Sequence, residues 1–132
     1  MAFIKCSGGW KLKETILWTN SSPSSNFSAQ SVTLSSSIDN FDYIKFRYNA
    51  ANYGTYEEGI IIIPVSILKL SYSRTVNNPL IYLTMNDSNK DSHARKISYE
   101  STTSLRIEAS YKINGSFSAT NRNIPLYIYG LK

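Results

Sequence analysis

Gly59–Leu70 reads GIIIIPVSILKL and is the most apolar run in the chain. It is too short to span a bilayer, which takes about 20 apolar residues. Its β-branched content predicts a strand buried on both faces or nearly so. Pro64 cannot donate a ladder hydrogen bond, so the run should bulge or change sheets there, or lie at an edge. Isoleucines 60–63 left in water would aggregate, so the other strands are expected to cover them. The run points to a fold class and leaves activity open.

Working outward, Phe41–Ala50 (FDYIKFRYNA) alternates cleanly: Ile44, Phe46 and Tyr48 on one side, Lys45 and Arg47 on the other. Leu105–Ile113 has the best period-2 pattern, with Leu105, Ile107, Ala109, Tyr111 and Ile113 set against Arg106, Glu108, Ser110 and Lys112. Trp10–Trp18 (WKLKETILW) reads as one amphipathic strand whose apolar side is Trp10, Leu12, Ile16 and Trp18. Phe27–Ser35, Leu80–Met85, Ala94–Glu100 and Ile124–Leu131 are further strands, and Lys69–Arg74 extends the central one. Thr19–Asn26, Asn52–Gly54, Val76–Pro79, Asn86–Ser92 and Asn114–Gly115 supply turn formers. No helix is expected. Eight to nine strands with turns about every 8–12 residues predict an all-β fold, an antiparallel, jelly-roll-like β-sandwich. Residues 1–9 end in Ser7-Gly8-Gly9 and read as a tether or short strand before a single domain over 10–132.

The totals narrow the class. At 132 residues the chain is one domain with enough length for a core without staples. Charged residues are sparse at 17%, and the net charge of +5 is a modest excess best read as solubility. Cys6 is the single cysteine, so no intrachain disulfide can form. Met1–Cys6 lacks the apolar core of a signal peptide, which predicts synthesis in a cytoplasm, as for virion proteins as well as cytoplasmic ones.

Catalytic chemistry finds little to use. His93 is the sole histidine, beside Asp91 and Arg95, and a solvated loop histidine explains it better than a general base. No Gly-x-Ser-x-Gly elbow occurs. Asp39 with Asp42, and Asp87 with Asp91, read as turn caps; the second pair lacks the glycine and distal glutamate of a calcium loop. Glu57 and Glu58 diverge on a strand and make a poor acid/base couple. Lys45 and Arg47 share a face with Tyr43, but no helix or glycine-aromatic signature supports nucleic-acid binding. No catalytic residue, metal, cofactor or membrane insertion is expected. Ten tyrosines exceed what a core needs, because a buried hydroxyl must find a partner. Exposed tyrosines among Asn, Ser and Asp suit sugars or a protein interface, and equally the rim of a sandwich.

Two segments resemble a known family. Leu17-Trp18-Thr19-Asn20-Ser21-Ser22-Pro23 through Phe27-Ser28-Ala29-Gln30-Ser31-Val32-Thr33-Leu34 is similar to the "LWTN.SP...FA.QTI.L" opening of small β domains in tail-fibre and receptor-binding proteins of phages of Gram-positive bacteria. Phe41–Phe46 resembles their next strand, and Ile124–Lys132 (IPLYIYGLK) their "IP..IYGIK" ending. The middle is less similar, and the motifs mark core and turn positions only. The resemblance implies a C-terminal β-sandwich at the distal end of a phage fibre, commonly trimeric, attaching to a bacterial surface. The expectation is therefore a non-enzymatic virion domain that binds a host cell-surface carbohydrate and other virion proteins. Loops 52–57, 75–79 and 86–93 are the expected contact region, with Tyr53, Tyr56, Asn89 and His93 as ligand-binding candidates. The alternative is a structural virion component, such as a head fibre, decoration or baseplate protein. A bacterial carbohydrate-binding module is a third reading, against which the missing signal peptide weighs.

Overall fold

The computed structural model describes residues 3–6, 9–49, 58–72, 80–86, 91–113, 115, 118–119 and 121–132. β1 (Phe3–Cys6) and β2 (Gly9–Leu12) form a separate antiparallel hairpin. Among the described residues, nine strands then build two facing sheets. They are β3 (Glu14–Thr19), β4 (Gln30–Thr33), β5 (Tyr43–Asn49), β6 (Glu58–Pro64), β7 (Ile81–Asn86), β8 (Ser92–Ser101), β9 (Ser104–Lys112), β10 (Ser118–Ala119) and β11 (Pro125–Leu131). One sheet has the order β3-β11-β5-β6. The other runs β7-β8-β9, and β4 and β10 pair with different stretches of the far side of β9. All of these pairings are antiparallel. The all-β antiparallel sandwich is thus present, and its first and last strands are neighbours.

The core lies between the sheets. Leu17, Ile44, Phe46, Ile63 and Ile128 meet Val32, Ile81, Leu83, Ile97, Leu105 and Ile107. Each fully buried side chain of this size contributes about 1.5–3 kcal/mol. Tyr48 crosses the core, and its hydroxyl donates to the Thr84 carbonyl at 3.0 Å, tying β5 to β7. Gly59 is the register partner of Tyr48 on β6, and a Cβ there would overlap the Tyr48 ring.

The central apolar run departs from the expectation of a doubly buried strand, while its edge position is one of the outcomes that Pro64 allowed. It is not one strand buried on both faces. β6 is an edge strand that ends at Pro64, and only Ile61 and Ile63 turn toward the core. Ile60 and Ile62 are 56% and 52% exposed. The remainder is a one-turn helix, α1 (Val65–Lys69), where no helix was expected. Proline fixes φ and donates no hydrogen bond, so Pro64 closes the ladder and opens the helix. Val65 and Leu68, three apart, then turn one apolar face to the core.

The first amphipathic stretch also departs. β2 pairs with β1, so Trp10 and Leu12 do not continue the strand that carries Ile16. In β3 the register with β11 steps from Trp18↔Ile128 to Ile16↔Tyr129, leaving one extra residue, Leu17. That bulge breaks strict alternation. Leu17 is buried, Trp18 packs against the core with its ring edge-on to Phe27 at 6.0 Å, and Ile16 faces out.

Candidate functional site

Tyr53, Tyr56 and Asn89 lie outside the described residues, as does the stretch 75–79. His93 is described, and it corrects the expectation of a solvated loop histidine. β8 begins at Ser92, so His93 is already a strand residue, paired with Met85 and Lys112 and only 4% exposed. Parity with Ile97 carries both His93 and Arg95 to the inner side of the sheet.

Arg95 is the residue that sequence reasoning missed. Its guanidinium donates to four backbone carbonyls: Phe27 at 2.9 Å, Glu108 at 2.7 Å, Arg122 at 2.7 Å and Asn123 at 3.1 Å. It also lies 5.4 Å from the centre of the Phe27 ring. Burial pulls its pKa down to about 10, so it remains charged at neutral pH. The Glu108 carbonyl becomes reachable because β9 carries an extra residue there: three steps from Ser110 to Ile107 face two from Arg95 to Ile97. Asn123 completes the cluster. It has φ 49°, a left-handed conformation that asparagine tolerates better than most residues. Its amide donates to the carbonyls of Leu83 (2.7 Å) and His93 (3.2 Å) and accepts from the Ser110 hydroxyl (3.1 Å). Carbonyl acceptors and a buried cation suit a structural pin that joins β8, β9 and the segments at Phe27 and 121–124.

Among the described residues, the two outer sheet faces offer broad surfaces for binding. On the β3-β11-β5-β6 sheet, the residues opposite Ile44 and Phe46 line up in rows. One row is Ile62, Lys45, Tyr129, Ile16; the next is Ile60, Arg47, Tyr127, Thr19. Lys45 pairs with Glu14, and its ammonium lies 4.6 Å from the centre of the Tyr129 ring. Arg47 forks onto Glu58 with bonds of 2.7–3.0 Å, donates to the Tyr129 hydroxyl at 2.8 Å and lies 5.0 Å over Tyr127. The Glu58 and Tyr129 bonds raise the Arg47 pKa further above its ordinary value. Both cations are thus engaged within the face, so a nucleic-acid phosphate would have to compete with their carboxylates. Tyr127 and Tyr129 sit beneath cations, while Ile16, Ile60 and Ile62 remain more than half exposed.

The outer face of the other sheet differs. Tyr82, Thr84 and Asn86 of β7 share it with Ser92, Ala94 and Lys96 of β8 and Tyr111 of β9. Tyr82 and Tyr111 meet edge-to-face at 6.3 Å. Burial, with a hydrogen bond to Tyr82, pushes the Tyr111 phenol up. Ala94 is buried on this face and has Thr84 and Tyr111 as its register partners. Ser92 donates to the Asn86 side-chain oxygen at 2.7 Å. The sequence signal for this patch is parity: even positions on β7 and β8 share the outer side.

Among the described residues, no group of three or more His, Cys, Asp and Glu is placed to hold a metal ion. Asp39 pairs with Lys69, and Asp91 with Lys112 at 2.8 Å. No family model matches the chain, and no curated protein matches its sequence.

Proposed function

We propose that this chain is a non-enzymatic attachment domain of a phage virion, a fibre-tip or receptor-binding module that holds a bacterial cell-surface glycan. The opening and closing segments that resemble such domains support the virion setting. The Tyr82–Tyr111 patch supports the ligand class. Two phenol rings on an outer sheet face offer apolar area at low entropic loss, and the neighbouring Thr84, Asn86, Ser92 and Lys96 can fix hydroxyls or an anionic substituent. The resemblance implies a homo-oligomer, commonly of three copies.

The test is co-sedimentation of the purified protein with Gram-positive cell walls. Binding at high micromolar protein is expected, lowered at least about 10-fold by Tyr82→Ala with Tyr111→Ala. Absence of binding to every wall tested would refute the glycan reading. A second reading, a structural virion component with a protein partner, draws on the opposite face. Exposed isoleucines beside engaged ion pairs suit an apolar protein surface better than a sugar.

A further inference from the structure

We infer that the outer face of the β3-β11-β5-β6 sheet is a two-fold interface, occupied by the same face of a second copy of this chain. The inference stands on this face alone, independent of the virion reading, and it selects a dimer where the resemblance implies a trimer.

Three observations carry it. First, Ile16, Ile60 and Ile62 are 54%, 56% and 52% exposed on one face, whereas isolated exposed apolar residues would be unremarkable singly. Second, the face carries no net charge, because Lys45 and Arg47 are matched by Glu14 and Glu58. The chain as a whole carries +5, so two copies repel over most of their surface and meet at least cost where charge is cancelled.

Third, the row order is self-complementary. Place a two-fold axis in the plane of the interface, along the strands and midway between β11 and β5. The axis lays β6 of one copy over β3 of the other, and β5 over β11, with the strands aligned as in stacked sheets. Within the row Ile62, Lys45, Tyr129, Ile16, the isoleucine of one copy then meets Ile16 of the second copy. Lys45 falls over Tyr129 of the second copy, and Arg47 over Tyr127 of the second copy. No cation opposes a cation; the partly exposed Tyr127 ring is offered a second one, while Tyr129, 8% exposed, stays behind its own Lys45.

The size of the face sets the strength. Four strands about 4.8 Å apart and about seven residues long at about 3.4 Å per residue give a footprint of roughly 450 Å² per copy. Two such faces bury about 900 Å², below the roughly 1,200 Å² of a standard stable interface, so the dimer should dissociate in the micromolar range.

Sedimentation velocity of the full chain from about 1 to about 500 μM tests this. The mass should rise with concentration from 14.9 kDa toward twice that value. The double variant Ile16→Thr with Ile62→Thr keeps β-branching at exposed positions, so its circular dichroism and thermal midpoint should match the parent. It should weaken dimerisation by about 100-fold. Ile67→Thr, exposed on α1 outside the four strands of this face, serves as the control and should leave the dimer unchanged. A chain that stays monomeric, a trimer, or a dimer equally sensitive to both variants would overturn the inference. A dimer indifferent to the Ile16/Ile62 pair would overturn the face while leaving self-association intact. Wall binding is read separately and is not decided by any of these masses.

Discussion

Replacing Arg95 by methionine tests whether the buried cation holds the sandwich together. The substitution keeps an unbranched side chain of similar length and removes the guanidinium. Four carbonyls, those of Phe27, Glu108, Arg122 and Asn123, lose their donor. Hydrogen bonds to a charged group contribute about 1.5–3 kcal/mol each, so four amount to roughly 6–12 kcal/mol. Against this stands the cost of burying the charge. Lowering the pKa from 12.5 to about 10 corresponds to about 3 kcal/mol at 1.36 kcal/mol per unit. Carbonyls tolerate under-satisfaction better than N–H groups, and methionine regains some apolar burial. The expected net loss is therefore about 3–5 kcal/mol. A domain of 132 residues has a total stability of about 7–20 kcal/mol, so the variant should fold but be visibly weakened. With an unfolding entropy of about 0.28 kcal/mol/K for this length, the thermal midpoint should fall by about 10–18 °C. Urea titration followed by tryptophan fluorescence is the assay, since Trp18 contacts Phe27, over which Arg95 lies. Arg95→Lys should recover only part of the loss, because an ammonium cannot fork onto four carbonyls in different directions. A loss below about 1 kcal/mol for methionine, or a lysine variant as stable as the parent, would refute the pin.

Asn123→Ala removes three side-chain hydrogen bonds and leaves alanine at φ 49°, so a loss of about 3 kcal/mol in urea is expected, with Asn123→Asp intermediate. Gly59→Ala drives a methyl into the Tyr48 ring and should cost about 1–3 kcal/mol; Tyr48→Phe, which spares the space but drops the bond to Thr84, should cost about 1 kcal/mol. Glu100 accepts hydrogen bonds from Ser31 and Ser104, which hold its carboxyl below the usual range. That stabilisation exists above the carboxyl's unfolded pKa and is lost as pH falls through the folded one. Glu100→Gln should therefore flatten part of the drop in thermal midpoint between pH 6 and pH 3, and identical acid profiles for the two proteins would count against the assignment.

Strand periods are local properties, and the sequence alone determined them wherever no bulge intervenes. Ile44, Phe46 and Tyr48 alternate with Lys45 and Arg47 in both chain and structure; on β9 Leu105 and Ile107 face inward as read, but the extra residue before Ser110 inverts the rest, so Ser110 is buried and Tyr111 faces out, against the period read through Ile113. An antiparallel sandwich follows from that spacing, because alternating strands must bury one face and the turns between them are short. Tertiary structure decided the rest. The pairing of β6 with β5 alone selected the edge among the outcomes that Pro64 allowed, and left Ile60 and Ile62 in water. Only the bulge in β3 sent Leu17 and Trp18 to the core together, since one extra residue inverts every later side chain. His93 and Arg95 obey the parity of Ile97, yet their chemistry argued for solvent. The core could accept Arg95 because folding gathers four carbonyls around one guanidinium, from Phe27, Glu108, Arg122 and Asn123, and sequence spacing does not reveal that convergence. The same holds for the rows on the outer faces, which join residues as far apart in the chain as Ile16 and Tyr129. Alternation along a strand says which residues face out; the register between strands says which of them meet.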